Sequence, residues 1–359
     1  MRCGIIGLPQ VGKTTLFQIV TRTQPSESHH KEDVQHIGVV TVPDDRLDRL
    51  AKLFSPAKLT YATVEYADLA PVGKETLKEA SYLAALRTLD SLVHVVRLFR
   101  DDAVPHIAGS VDPRRDITNV EVELILADLG VVENRLQKLE KERKKIPRAD
   151  AEKEQALLGK VQQWLETEKP LREAEWSAEE LKQLKGFSFL SAKPMLYVLN
   201  AGEESAGELE EMVRSAGLDA IEERRQTRAT AIAGKLEAEM ALLPDADAAE
   251  FMRDYGLKES GVKRVIRATY ELMGLLSFFT LGEKECRAWS IPRGATAMQA
   301  AGAIHTDLEK HFIRAEVIAW DKLLETGDLT AARQKGILRL EGKDYVVQDG
   351  EMVHIRHSG

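Results

Sequence analysis

The sequence predicts an α/β fold: a doubly wound, mainly parallel sheet, interrupted by a helical insert and followed by a small α+β module. Three observations predict it. Four short apolar runs alternate with helical patterns, one long stretch repeats apolar residues at spacings of three and four, and the chain after about residue 276 turns to short strands and tight turns. The four runs are "CGIIG", "TYATVEYADL", "SLVHVVRLF" and "PMLYVLNAG". Strands separated by helical stretches pair in parallel, because each crossover helix returns the chain to the same edge.

Between the third and fourth runs, Val122, Ile125, Leu129, Val132, Leu136 and Leu139 form the seam of a coiled coil, and Leu158, Val161 and Leu165 resume it after Pro147. The two arms predict an antiparallel hairpin with its tip near "KERKKIPRADAEK". The closing module carries "ECRAWSI", "FIRAEVIAW", "GILRL" and "YVVQDGEMVHI", the last with an Asp349-Gly350 hairpin signal. The expected domains are therefore residues 1–115 and 188–275 for the α/β part, 116–187 for the insert and 276–359 for the tail module.

Composition narrows the function classes. With 359 residues, 30% charged and 43% hydrophobic, the chain is long enough for more than one core and has the balance of a soluble globular protein. No apolar run approaches the ~20 residues of a membrane span, and the first strand starts at once without a leader pattern, so a cytoplasmic protein with no membrane partner is expected. Cys3 and Cys286 lack metal-ligand spacing and predict reduced, buried thiols. A net charge of −8 argues against wholesale coating of nucleic acid but leaves room for a local basic patch.

"GLPQVGKTT" carries the chemistry. Gly7 to Thr14 fits G-x-x-x-x-G-K-[ST] directly after a strand and before a helical stretch, the context the motif requires. Gly7, Pro9, Gln10, Val11 and Gly12 form the expected phosphate loop, with Lys13 reaching the β and γ oxygens, Thr14 offering Mg²⁺ a hydroxyl, and Thr15 continuing into the helix. At the carboxyl end of the fourth strand stands Asn200-Ala201-Gly202-Glu203, where guanine-specific proteins carry Asn-Lys-x-Asp. The flanking lysine is absent and the glutamate is one methylene too long for the two-pronged guanine contact, so adenine, which needs no such acid, is the expected base.

These residues, together with "GLPQVGKTTLF", "VVTVPDDRLDRLAKLFSPAK", "EVELILADLGVVENRLQKLEK" and the ending "RAWSIPRGATAMQAAGAIHTDLEKHFIRAEVI … GKDYVVQDGEMV", resemble the YchF family, Obg-related translation-factor P-loop NTPases. The resemblance covers nearly the whole chain. It implies ATP preferred over GTP, a coiled-coil insertion, a C-terminal TGS module of β-grasp type and ribosome association. It also sets "AIAGKLEAEM" at the fifth base-contacting motif, with Ala233, Gly234 and Lys235 near the base edge.

The switches depart from the usual pattern. Asp68 is expected to hold Mg²⁺ through water as the first residue of D-x-x-G, but the glycine position is Pro71, which has no N–H for a γ-phosphate. Gly73 is the nearest substitute. The first-switch threonine is replaced in alignment by Glu32, which a γ-phosphate would repel. Val72 fits the apolar residue that the family carries in place of a water-orienting glutamine. The same resemblance points to His106 as the group that positions or deprotonates water, where a lone loop histidine is otherwise a solvent-facing bystander. Binding is therefore better supported than turnover: the expected protein is a slow, Mg²⁺-dependent NTPase, the alternatives being a nucleotide-sensing module without significant hydrolysis and a GTPase of the Obg-related group.

At the hairpin tip, Lys138, Lys141, Arg143, Lys144, Lys145 and Arg148 outnumber Glu140 and Glu142, an expected contact for RNA phosphate on an otherwise acidic protein, together with the TGS-like module. Trp289, Trp320, His305 and Asp307 are expected to be structural.

Overall fold

Three strands of the computed structural model, β1 (Arg2–Ile6), β5 (Ser91–Arg97) and β6 (Met195–Asn200), are buried almost end to end, the mark of parallel strands covered on both faces. Residues 1–23, 36–73, 75–142, 148–215, 218, 224–257 and 259–358 are described. The other elements up to residue 272 are α1 (Lys13–Thr21), β2 (His36–Thr41), α2 (Asp45–Phe54), β3 (Leu59–Thr60), β4 (Thr63–Asp68), α3 (Ala80–Arg87), α4 (Pro113–Glu142), α5 (Arg148–Leu165), α6 (Ala178–Leu184), α7 (Leu209–Ser215), β7 (Thr227–Ile232), α8 (Gly234–Met240), α9 (Asp245–Asp254) and α10 (Gly261–Leu272). They are followed by β8 (Leu275–Thr280), β9 (Cys286–Pro292), α11 (Ala297–Ile304), α12 (Thr306–Lys310), β10 (Phe312–Ala319), α13 (Trp320–Thr326), α14 (Leu329–Gln334), β11 (Arg339–Glu341) and β12 (Glu351–His357).

The chain divides into two units: Met1–Gly38 with Glu65–Ala268, and Val39–Val64 with Thr269–Gly359. The first is built on a six-stranded sheet of order β2-β4-β1-β5-β6-β7, parallel across β4, β1, β5, β6 and β7. Its core joins Ile6, Leu92, Val96, Tyr197, Leu199 and Leu236 with residues of the flanking helices. Cys3 is a free, buried thiol, as expected, and burial pushes it up to about 12.

The insert is a helical hairpin with the expected seam apart from Val122, which stands outside it: Ile125, Val132 and Leu139 of α4 pack with Leu158, Val161 and Leu165 of α5. Arg135 grips both carboxylate oxygens of Glu154 across it at 2.7 and 2.9 Å. Its base is pinned by polar groups. The fully buried Asp128 of α4 accepts from the Leu190 and Ser191 amides and the Ser191 hydroxyl, while desolvation outweighs those bonds and raises it to about 6. Arg172 is buried against Glu121, which also accepts from the Tyr197 hydroxyl.

The second unit is a sheet of order β11-β10-β12-β8-β9-β3, with β8–β9, β10–β11 and β10–β12 antiparallel and β12–β8 and β3–β9 parallel. Its core sets Phe278, Ile291, Val317 and Val353 against Ala297, Ala300 and Ala301 of α11. The segment 39–64, expected within the 1–115 α/β stretch, groups with this unit by contact: β3 adds its outer strand and α2 packs on α13 and β9. Asp44 caps α2 through the Arg46 amide, and the Arg46 side chain ties Asp44 to Asp349 at 2.8 Å each and lies over the Phe279 ring. Asp349-Gly350 is a turn with Gly350 at φ 82, but β12 pairs with β10 and β8 rather than with the residues before the turn. The carboxylate of Asp349 instead holds Arg46 and the Ser277 amide.

Candidate nucleotide site

The loop between β1 and α1 turns through three residues of positive φ: Gly7 (147°), Gln10 (58°) and Gly12 (96°). Two of these must be glycine on steric grounds as well. A Cβ at Gly7 would lie 2.5 Å from the Val95 carbonyl oxygen, and one at Gly12 would lie 2.3 Å from Asn200 Nδ2. Val11 is buried beneath the turn, while Pro9 and Gln10 face outward. Lys13, only 7% exposed, folds back and donates to the Leu8 carbonyl at 2.8 Å. Burial lowers its ammonium to about 8, against the opposing pull of Asp68.

Thr14, the second residue of α1, donates its hydroxyl to Asp68 Oδ2 at the end of β4 at 3.0 Å, and Thr15 follows on the same turn. Both are hard oxygen donors, and their closeness fits the expected arrangement in which Thr14 would meet Mg²⁺ with its hydroxyl and Asp68 would hold it through water. Among the described residues no group of three or more His, Cys, Asp or Glu is arranged to hold a metal.

Two amides of the segment after Asp68 are committed, those of Val72 and Gly73. Pro71 has none; the Val72 amide donates to the Gly7 carbonyl at 2.9 Å; the Gly73 amide donates to Thr76 Oγ1 at 2.9 Å, and that hydroxyl closes back on the Pro71 and Gly73 carbonyls. Val72 is buried in the core of the sheet. Glu32 lies outside the described residues.

On the base side, Asn200 acts as a brace. Its Nδ2 donates to the Val11 carbonyl at 3.0 Å and its Oδ1 accepts from the Gly234 amide at 3.0 Å, joining the phosphate loop to the turn that starts α8. The Gly234 amide is thereby used, and Ala233 beside it is buried. Glu203 pairs with Lys235 at 2.6 Å, so the acid in the guanine-reading position already has a cation.

His106 is not open to solvent. Its side chain is 4% exposed, with Nε2 2.9 Å from Asp116 Oδ2 and Nδ1 accepting from the Ala108 amide at 3.1 Å. Nδ1 is thus engaged, while Nε2 lies beside the Asp116 carboxylate without a hydrogen bond to it, so the ring is neither a solvent-facing bystander nor a base open to water. Sequence reasoning also missed Arg97. At the end of β5 and 2% exposed, it donates to the carbonyls of Phe99 and Val104 at 3.1 and 2.6 Å and to Gln10 at 3.4 Å, and it stacks on the Phe99 ring. It ties the loop that leads to His106 to the phosphate loop. A single charge inside the otherwise apolar "SLVHVVRLF" was the available signal.

The remaining candidates scatter. Lys138 and Lys141 are exposed on α4; Arg143, Lys144 and Lys145 lie outside the described residues, as does the side chain of Arg148 at the start of α5. Trp289 stacks on Phe278, and Arg287 lies over it at 3.9 Å, while Trp320 lies under Arg49 at 5.1 Å. His305 caps α12 by accepting from the Asp307 amide.

Comparison with known proteins agrees over the whole length. A family model, YchF-GTPase_C, described as a protein of unknown function (DUF933), matches residues 275–358. The chain is 38% identical over 362 residues to a Bacillus subtilis protein named Ribosome-binding ATPase YchF, covering 99% of both chains. It is 40% identical over 364 residues to the protein of that name from Haemophilus ducreyi, covering 99% of this chain and 98% of the other. The solved Schizosaccharomyces pombe YchF GTPase superposes with a TM-score of 0.86 at 29% identity, covering 99% of this chain and 97% of that one.

Proposed function

The chain belongs to the YchF family, and from that premise we propose that it is an ATP-binding, ribosome-associated P-loop protein of the cytoplasm with slow, Mg²⁺-dependent hydrolysis. The observation that carries this is the meeting of Lys13, Thr14 and Asp68 around a loop whose glycines admit no side chain. On arrival of a triphosphate, Lys13 exchanges the Leu8 carbonyl for β and γ oxygens, and the loop amides with the start of α1 hold the phosphates. Thr14 and Asp68 are the residues that would hold Mg²⁺, which when bound neutralises phosphate charge. Asn200 keeps the loop in register with Ala233 and Gly234, so its part is positional rather than base-reading.

Adenine is the favoured base because Glu203 is one methylene longer than the aspartate of guanine readers and one of its oxygens is already engaged by Lys235, so the two-pronged guanine contact is weakened. His106 is the candidate to orient water, a task that requires it to trade Asp116 for water. Ribosome association rests on the names of the relatives; the basic tip with Lys144, Lys145 and Arg148, together with the C-terminal module, is the surface proposed to meet RNA.

A second reading, a nucleotide sensor with no significant turnover, is favoured by the commitment of the Val72 and Gly73 amides. A GTPase of the Obg-related group is the third. Binding of non-hydrolysable ATP and GTP analogues, set beside multiple-turnover phosphate release, separates them. ATP binding with release supports the first reading, ATP binding without release the second, and GTP binding as tight as ATP removes the argument from Glu203.

A further inference from the structure

The parallel sheet has a second built edge. At the amino ends of β5, β6 and β7, opposite the edge that carries the phosphate loop, a cavity of about 460 Å³ opens where the base of the insert returns to the sheet. A volume of that size is in the range of small-molecule sites. One wall is apolar: Trp176, the buried Leu184 and Phe189, and Leu181, which is 54% exposed although its neighbours in the wall are covered.

The charged part of the lining is mainly cationic. Arg87, Lys185, Lys193 and Arg225 face Asp90 as the acid of the lining, and Asp90 is itself engaged by the Arg2 amide at 2.8 Å. Lys193 is 9% exposed, and its ammonium donates to the carbonyls of Arg87 and Leu89. Among the described residues no carboxylate forms an ion pair with it; Asp90 and the buried Asp128 attract it from farther off, and burial nonetheless lowers its pKa. The Arg87 guanidinium keeps a buried Nε without a hydrogen-bond partner. Among the described residues Arg225 pairs with the exposed Glu175, at 3.8 Å. Arg172, also in the lining, is neutralised by Glu121 and adds nothing to the excess. Buried cationic donors are costly unless a counter-charge meets them, and an apolar wall beside them rewards an apolar body.

We propose that this cavity is a second ligand site, for a small organic acid: one carboxylate-type anion carried on an aromatic or branched aliphatic body. The anion sits between Arg87 and Lys193, and the body lies on Trp176, Leu181 and Phe189. Nothing in the phosphate loop takes part, so the site is independent of the nucleotide reading.

The test titrates the full-length protein with 8-anilinonaphthalene-1-sulfonate, an aromatic anion whose fluorescence rises in a dry pocket, and takes stoichiometry from calorimetry. Wild type is expected to bind one equivalent saturably. Leu181→Glu and the double variant Arg87→Gln/Lys185→Gln each weaken binding at least tenfold, Leu181→Arg keeps or strengthens it, and Leu340→Glu, a similarly exposed leucine of the other unit, leaves it unchanged. The uncharged analogue N-phenyl-1-naphthylamine binds at least tenfold more weakly. Leu181 is exposed enough that its variants fold, which circular dichroism verifies. Equal affinity in Leu181→Glu and Leu181→Arg, equal affinity for the uncharged probe, or binding without one-to-one saturation overturns the proposal.

Discussion

Nucleotide binding at alkaline pH should draw a proton onto Lys13. In the free protein its ammonium is buried against the Leu8 carbonyl, and that burial lowers it to about 8 despite Asp68. At pH 8.5 roughly three quarters of the lysines are then neutral, and at pH 7 roughly a tenth. Phosphate oxygens beside the nitrogen favour the charged form and return the group toward its ordinary value near 10.5. Binding a non-hydrolysable ATP analogue with Mg²⁺ at pH 8.5 should therefore take up about 0.75 of a proton, and at pH 7 about 0.1. Calorimetry in buffers of different ionisation enthalpy reads this directly. Lys13→Arg, which stays charged over this range, should abolish the uptake in whatever binding remains. The same shift has a sign for stability. Between about pH 8 and 10.5 the unfolded chain holds more of this proton than the folded one, so the cost of burying Lys13 fades as pH rises through that window. No uptake at pH 8.5, or undiminished uptake in Lys13→Arg, would refute the reasoning.

Other substitutions test separate links. Asn200→Ala removes both buried hydrogen bonds of the brace and leaves the Val11 carbonyl and Gly234 amide unmet, about 2–4 kcal/mol of stability by chemical denaturation; ATP and GTP analogues should weaken together, and a loss confined to one base would make Asn200 a base reader. Arg46→Ala unpairs Asp44 and Asp349 and uncovers Phe279, about 1–2 kcal/mol because the pair with Asp349 is partly exposed. Tryptophan fluorescence during denaturation follows it, and an unchanged midpoint would mean that 39–64 does not support the C-terminal unit. His106→Ala should lower phosphate release at least tenfold with analogue binding held within threefold; unchanged release would reduce His106 to a pin for Asp116.

Much of this was legible because local chemistry and tertiary context agree. "GLPQVGKTT" announces its loop since positive φ at Gly7 and Gly12, the lysine and the hydroxyl all sit within eight residues. The seam from Ile125 to Leu165 was equally plain, because its apolar period is its packing surface. β2 and β7 were missed: they flank the sheet, and "TRATAI" carries too little apolar residue to read as a strand. The assignment of 39–64 to the second unit was hidden because it depends on partners such as Asp349, 303 residues from Arg46. At the site, the missing amide of Pro71 was visible in the residue type, but the bonds that occupy Val72 and Gly73 were not, since they run to Gly7 and to a threonine three residues on. Asp116 behind His106 and the carbonyl cage of Arg97 are likewise contacts that no motif encodes.

The ratio of dissociation constants for Mg²⁺-loaded ATP analogue and ADP bears most directly on the silent segment beside the phosphate loop. A backbone amide on a charged oxygen contributes about 1.5–3 kcal/mol, roughly ten- to more than a hundredfold in affinity. With the amides of residues 72 and 73 retained by Gly7 and Thr76, the terminal phosphate meets Lys13 but neither amide, so the analogue should outbind ADP by no more than about a hundredfold, one charge-assisted contact. A preference of about a thousandfold or more would mean that one of those amides had also left its partner for the terminal phosphate.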